Sequence, residues 1–256
     1  TDPLVQFYET FLEEYDQETR QQKGVYYTPE PVISFINESV NKLLTEEFDR
    51  TDGLANNDVT ILDPAAGTMG FMANATEIAL REFTNKYGEG GEKSLLSDHI
   101  LNNYYAFELL VAAYTIGHLK MAILFEESGY ELTDDDRMQL YLTNTLQEGA
   151  KDTTLPMLSS IAEESEKAKE VKEETPILAI VGNPPYSGHS ENNSEWIDSL
   201  IDDYKEGYNL SNRSKWLQDD YVKFIRWSQW KLSKAQEGLL AFITNHGYIE
   251  NPTFVG

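Results

Sequence analysis

The sequence predicts an α/β fold: a mostly parallel sheet with helices on both faces, preceded by an N-terminal helical extension. Three observations lead there. Short apolar runs alternate along the chain with longer stretches of helical periodicity, the pattern of strand–crossover–strand units. Runs such as Ile177-Leu178-Ala179-Ile180-Val181 are apolar throughout, as strands covered on both faces are. Turn-forming residues follow the runs at their C-terminal ends, where an open α/β sheet places its ligands. With 256 residues, 40% hydrophobic and 12% aromatic, the chain has enough apolar material for one such domain.

The elements follow in order. Residues 3–22 form a lead-in helix with Leu4, Phe7, Tyr8, Phe11, Leu12 and Tyr15 at apolar positions, so 1–22 is set apart from a single domain over 23–256. The loop Lys23-Gly24-Val25-Tyr26-Tyr27-Thr28-Pro29 comes next. Thr28 is the expected N-cap, and Pro29 the expected first residue, of a helix reaching Phe48. After a polar loop over 49–58, Val59-Thr60-Ile61-Leu62 is the first strand, and 70–87 the helix behind it. Gly88-Glu89-Gly90-Gly91 ends that helix. Tyr104-Tyr105-Ala106-Phe107 is the second strand, followed by a helix to Glu127. Gln139 to Leu142 is the third strand, Ile177 to Val181 the fourth and Leu239 to Thr244 the fifth, with helical segments as far as Lys234 before the last. The charge-rich run 163–174 is expected to be a solvated helix without chemistry.

Two loops carry functional information. The first, Asp63-Pro64-Ala65-Ala66-Gly67-Thr68-Met69-Gly70, follows the first strand directly. Its small residues admit a close backbone approach, the next helix offers free N–H groups, and Asp63 sits where it meets an ammonium or hydroxyl group. It lacks the Gly-x-Gly start of a dinucleotide fingerprint, which argues against a nicotinamide oxidoreductase. The second loop, Asn183-Pro184-Pro185-Tyr186, follows the fourth strand. By average composition such a tetrapeptide arises in a chain this long about once in several hundred. Pro184 and Pro185 stiffen the backbone. The Pro184 carbonyl and the Asn183 side-chain oxygen then offer two fixed acceptors, which suit an amino group with two hydrogens, and Tyr186 offers a flat ring for a planar base. The plain alternatives are a tight strand-to-helix turn for the first loop and a rigid turn for the second.

Composition narrows the classes. The chain has no cysteine, so disulfides and thiolate metal sites are excluded and a reducing, cytoplasmic setting is expected. His99, His118, His189 and His246 show no zinc spacing, and no metal is assigned. No apolar run spans a membrane, and Thr1-Asp2-Pro3-Leu4 carries neither a signal pattern nor an initiator Met, so a piece of a longer protein is expected. Against 44 acidic residues stand 20 basic ones, a formal net charge of −24, which by itself points away from nucleic acid. Trp196, Trp216, Trp227 and Trp230 are expected in core or lid packing.

Together these motifs resemble the amino-type adenine DNA methyltransferases. The element Gly24-Val25-Tyr26-Tyr27-Thr28-Pro29 upstream, Asp63-Pro64-Ala65-Ala66-Gly67 after one strand and Asn183-Pro184-Pro185-Tyr186 after a later one match the gamma motif order. The resemblance is greatest to the methyltransferase domain of single-chain restriction-modification enzymes. It implies a Rossmann-like class I fold with S-adenosyl-L-methionine as cofactor. It also implies double-stranded DNA as partner, and nuclease or helicase domains in the same full-length chain. It assigns Tyr27, Thr28 and Pro29 to the methionine carboxylate, and Asp63, Pro64, Ala65 and Gly67 to the methionine cradle. Glu108, with Leu109 beside it, is assigned to the ribose diol, and Asn144 falls where the family places an Asp that recognises the cofactor's adenine. Asn183 also touches the cofactor and, with Pro184, Pro185 and Tyr186, forms the catalytic loop. Met69 stands where the family often has a second glycine, and the family's closing strands and target-recognition domain are not evident. Arg213, Lys215, Lys223 and Arg226 are candidates for a local cationic rim. Other substrates of a similar motif are RNA bases and protein glutamine side chains, and a non-catalytic specificity or scaffold module is the reading from another class.

Overall fold

The computed structural model describes residues 28–148, 159–186, 190, 192–207 and 211–250, with the side chains of 159–163 and 211–214 excepted. The lead-in helix, Tyr27, His189 and the Arg213 side chain therefore lie outside the described residues.

Five strands form one parallel sheet: β1 (Ile61–Asp63), β2 (Tyr104–Glu108), β3 (Gln139–Leu142), β4 (Ala179–Gly182) and β5 (Leu239–Phe242), in the order β3-β2-β1-β4-β5. The order reverses at β1. The chain moves outward through β2 and β3, then returns to lay β4 on the other side, with Leu62 opposite both Tyr105 and Ile180. A crevice at the carboxyl ends of β1 and β4 is the topological consequence.

Side-chain alternation divides the core. Ile61, Tyr104, Ala106, Leu140, Ala179 and Val181 face α1 (Glu30–Glu47), α2 (Gly70–Tyr87) and α3 (Val111–Glu127) through Val40, Leu44, Met72, Ile78, Met121 and Phe125. Leu62, Phe107, Tyr141 and Ile180 face α4 (Ser159–Glu173), α5 (Glu195–Asp202) and α6 (Asp220–Leu232) through Ala168, Val171, Ile197, Leu200, Phe224 and Trp227. Both faces are thus covered, as the apolar strand runs require. A short helix, α7 (Gly247–Glu250), follows β5. The stretch 92–103, for which no element was expected, is helical and includes a π-turn, Leu95–Ile100.

Several expectations need correction. Thr28 does not cap α1: Pro29 is the N-cap residue, without a side-chain hydrogen bond, and Pro31 occupies the second helical position, so the proline supplies preset backbone geometry rather than a cap. The fourth strand begins at Ala179, because the Leu178 N–H is shared between the Thr60 carbonyl and the Thr60 hydroxyl, and that hydroxyl donates onward to Pro176. Nor is the charged run 163–174 merely solvated. Ala168, Val171 and Lys172 are buried, and the carbonyls at the end of α4 are taken by lysines: Lys231 donates to Val171 and, at 2.9 Å, to Lys172, while Lys234 donates to Glu173 at 2.8 Å. Cations at a helix C-terminus complement its dipole and its unpaired carbonyls.

Candidate active site

The crevice at β1 and β4 brings the two informative loops together. Asp63 ends β1 and Gly182 ends β4. A β-carbon placed on Gly182 would come within 2.7 Å of Asp63 Oδ1, so a side chain there would push the two strand ends apart. Asn183 is the next residue. The catalytic-loop candidates and the Asp63 turn are therefore immediate neighbours, although 119 positions separate Asp63 from Gly182 along the chain.

Asp63 is fully buried. Its Oδ1 accepts from the Ala65 N–H at 3.0 Å, while Oδ2 has no hydrogen-bond partner among the described residues. Burial pushes its carboxyl up to about 8, against the Ala65 hydrogen bond, and the nearby Glu108 carboxylate adds to the rise. Glu108, at the end of β2, is also buried. Its Oε1 accepts from the N–H groups of Leu109 and Leu110 at 2.8 and 2.7 Å, and its Oε2 from the Gly67 N–H at 2.7 Å. Burial raises it to about 7 despite those three donors. Two buried carboxyl groups without a cationic partner among the described residues are electrostatically expensive, and a positively charged ligand group lowers that cost. The orphaned Oδ2 and the raised Asp63 carboxyl fit the ammonium of a methionine-like cofactor.

The loop between these acids is held from several sides. Pro64 is buried, and its carbonyl accepts from the Thr145 hydroxyl at 2.5 Å; Ala65 is half-buried, and the Ala66 N–H donates to Phe107 at 2.9 Å. Gly67 takes a positive φ of 54°. Met69, at the position of the family's second glycine, also takes a left-handed φ of 65°, a conformation that costs a non-glycine residue about 1 kcal/mol or more. Its side chain packs over Gly117 of α3, where an added β-carbon would lie 2.7 Å from Met69 Cγ. The missing glycine is thus offset by a glycine on a neighbouring helix.

On the other side of the crevice, Asn183 Nδ2 donates to Thr28 Oγ1 at 3.0 Å, and Tyr186 OH donates to Asn183 Oδ1 at 2.5 Å. Pro184 is buried, Pro185 half-buried and Tyr186 exposed, its ring edge-on to Tyr221 with centroids 6.3 Å apart. Pro29 and Leu109 are exposed at the rim. Asn144, after β3, makes one contact at each end of its amide, Nδ2 donating to Asn192 Oδ1 at 2.8 Å and Oδ1 accepting from the Leu146 N–H at 3.0 Å, half of what an amide can make.

The supporting residues Thr145, Lys172, Asn192 and Asp220 were not visible as a group in the sequence, because they come from four separate segments. The rim expectation is corrected at Lys223, while Lys215 is exposed. Lys223 is fully buried, Arg226 pairs with Asp203 and the Leu200 carbonyl, and Lys215 sits over the Trp216 ring. Trp227 is buried and Trp196 packs against Trp230 as expected, but Trp216 is 48% exposed.

The sequence profile of N-6 DNA Methylase matches residues 1–251. The chain belongs to the N-6 DNA methylase family. A search of curated proteins returns no match. Among solved structures, the ATP-dependent Type ISP restriction-modification enzyme LlaBIII bound to DNA is 26% identical, with a TM-score of 0.79 over 98% of this chain and 17% of that one. The DrdV–DNA complex is 27% identical, with a TM-score of 0.75 over 98% of this chain and 23% of its own. A nuclease-deletion mutant of the Type ISP enzyme LlaGI, in complex with a DNA substrate mimic, is 25% identical, with a TM-score of 0.76 over 98% and 20%. This N-6 DNA methylase chain therefore spans about a fifth of the length of these three proteins. Among the described residues, no helix is long and apolar enough to cross a membrane.

Proposed function

We propose that this chain is the catalytic domain of a restriction-modification enzyme and transfers a methyl group from S-adenosyl-L-methionine to the N6 amino group of an adenine flipped out of duplex DNA. Family membership supports DNA methylation. The observation that carries the finer reading is the contact between strand ends: Gly182 against Asp63 sets a rigid Asn-Pro-Pro-Tyr loop beside a buried carboxyl group whose Oδ2 has no partner among the described residues.

The cofactor supplies an electrophilic methyl group on a sulfonium centre. Asp63 holds the ammonium end of its methionine part, Thr28 and Pro29 flank the carboxylate, and Glu108 and Asn144 serve the adenosine. Asn183 Oδ1 and the Pro184 carbonyl accept the two N–H bonds of the target amine. This draws the nitrogen lone pair out of conjugation with the ring and stabilises the charge that develops on it. In the free site Tyr186 OH occupies Asn183 Oδ1, so an incoming amine exchanges one donor for another, and the Asn183 acceptor stays satisfied until the base arrives. The Thr28 hydroxyl fixes the amide orientation by accepting from Nδ2, which leaves the oxygen for the substrate. The Tyr186 ring then stacks on the flipped base, a contact worth about 1–3 kcal/mol.

The test is transfer of tritiated methyl from S-adenosyl-L-methionine to DNA, RNA and protein acceptors offered in parallel. Label in DNA, located on adenine N6, is the expected result. Asn183→Ala should lower transfer by at least about 10²-fold, the scale of losing one positioned partner for developing charge, while leaving cofactor affinity within a few-fold. Label in RNA or protein alone, or full turnover by Asn183→Ala, would overturn the reading.

A further inference from the structure

A polar chain runs from the loop after β3 to the start of α6, and its central links come from the segment after the catalytic loop. Asn192 stands at its centre. Its Oδ1 accepts from Asn144 Nδ2 at 2.8 Å, its Nδ2 donates to Asp220 Oδ1 at 3.0 Å, and its backbone N–H donates to Ser190 Oγ at 3.0 Å. Its carbonyl accepts from the buried Lys223 ammonium. Ser190 Oγ in turn donates to Asp220 Oδ1 at 2.5 Å and accepts from Lys223 at 3.2 Å, and Lys223 also reaches Asn193 Oδ1 at 3.2 Å. Asp220 and Lys223 lie one turn apart on α6. Between them, at position 221, is the tyrosine whose ring meets Tyr186 edge-on. On the other side, Asn144 follows β3, and the same loop is anchored by Lys172, which donates to Thr143 Oγ1 at 2.9 Å and to the Asn144 carbonyl at 2.7 Å.

This architecture is more than a loop clamp. The first turn of α6 presents Tyr221 to the catalytic tyrosine and Asp220 to Asn192, while the far end of Asn192 holds the side chain offered to the cofactor's adenosine. We infer that Asn192 and Asp220 are positioning residues that couple the two pockets: a ligand engaging Asn144 fixes Asn192, and through Asp220 fixes the start of α6 and the ring against Tyr186. The coupling is reciprocal, because any ligand that favours one arrangement of the bridge favours binding at its other end. A polar network anchored on the buried Asp220 and Lys223, with its hydrogen bonds made, has few alternative arrangements, which is what lets it transmit an arrangement rather than absorb it.

This inference rests on the proposed cofactor and target pockets, and its test separates the two. Amide hydrogen exchange is followed at Tyr186, Asn192 and Asn193 in the full protein with and without S-adenosylhomocysteine, alongside calorimetric affinity for the same ligand. The parent should bind the ligand and show exchange at these amides slowed about tenfold, within the usual range of site-to-site coupling. Asn192→Ala should keep affinity within about threefold, a small part of that coupling range, and lose the protection at Tyr186. Asp220→Asn, which keeps an acceptor oxygen for Ser190 and Asn192, should retain it. A structural role alone would raise exchange equally in both ligand states and leave the ligand-induced difference unchanged. Protection at Tyr186 that persists in Asn192→Ala, or is missing in a parent that binds the ligand, would overturn the coupling. A parent that binds no ligand would overturn the functional reading beneath it.

Discussion

At the scale of single residues, the buried acids set the behaviour of the free site. Asp63 is raised from its ordinary 3.8 to about 8, so the folded protein holds a proton there that the unfolded chain releases near pH 4. Its contribution to stability is therefore present at acid pH and lost as pH climbs toward 8; Glu108, raised to about 7, acts in the same direction. A cationic partner reverses the balance by favouring the charged carboxylate. Cofactor binding should release a proton, and affinity should rise with pH up to about 8 and then level off, as followed by calorimetry across a pH series. Asp63→Asn removes the titration while keeping the oxygen that accepts from Ala65. It should raise the melting temperature of the cofactor-free protein at pH 8, by roughly 2–4 °C per kcal/mol recovered, and abolish cofactor binding. A variant that binds cofactor normally would remove Asp63 from the site.

At the scale of elements, helix ends matter more than helix interiors. The C-terminal end of α4 is tied into the core by Lys231, which is fully buried and donates to two carbonyls of that helix. Burial lowers its ammonium to about 7, the cost of holding a cation where the helix end needs a donor. Lys231→Met keeps much of the apolar stem and deletes the donor, so it should destabilise the protein by about 1–3 kcal/mol in denaturant titration. An unchanged midpoint would mean that water can serve those carbonyls. The same helix carries Lys172 beneath the Asn144 loop, so the charge pattern that suggested a solvated surface includes one structural cation facing inward. Periodicity located this helix, but it could not say which lysine pointed in, since a long side chain on either face has the same sequence signature.

At the scale of the molecule, a net charge of −24, the burial of Lys223 and the pairing of Arg226 with Asp203 reduce the cationic surface around the candidate site. This chain alone should bind duplex DNA only weakly, with Kd of about 1 μM or above at physiological salt, and more weakly still as salt rises. Fluorescence anisotropy at several salt concentrations checks this, and nanomolar binding would place the main DNA contacts on this chain rather than elsewhere in a longer protein.

The sequence by itself determined the strand–helix alternation, the parallel sheet and the two loops that matter, because strand hydrophobicity and turn chemistry are local properties. It also exposed the proline pair, whose stiffness needs no tertiary context. Only the tertiary structure decided that Asp63 and Asn183 share one crevice, since strand order is fixed by how helices cover both faces and not by any neighbour in the chain. The same holds for Met69, tolerated in a left-handed turn because Gly117 makes room for it, and for Asn192, whose partners at 144, 220 and 223 meet only after folding. Hydrogen bonds between distant segments leave no periodic trace in sequence, so they become legible only when packing brings donor to acceptor.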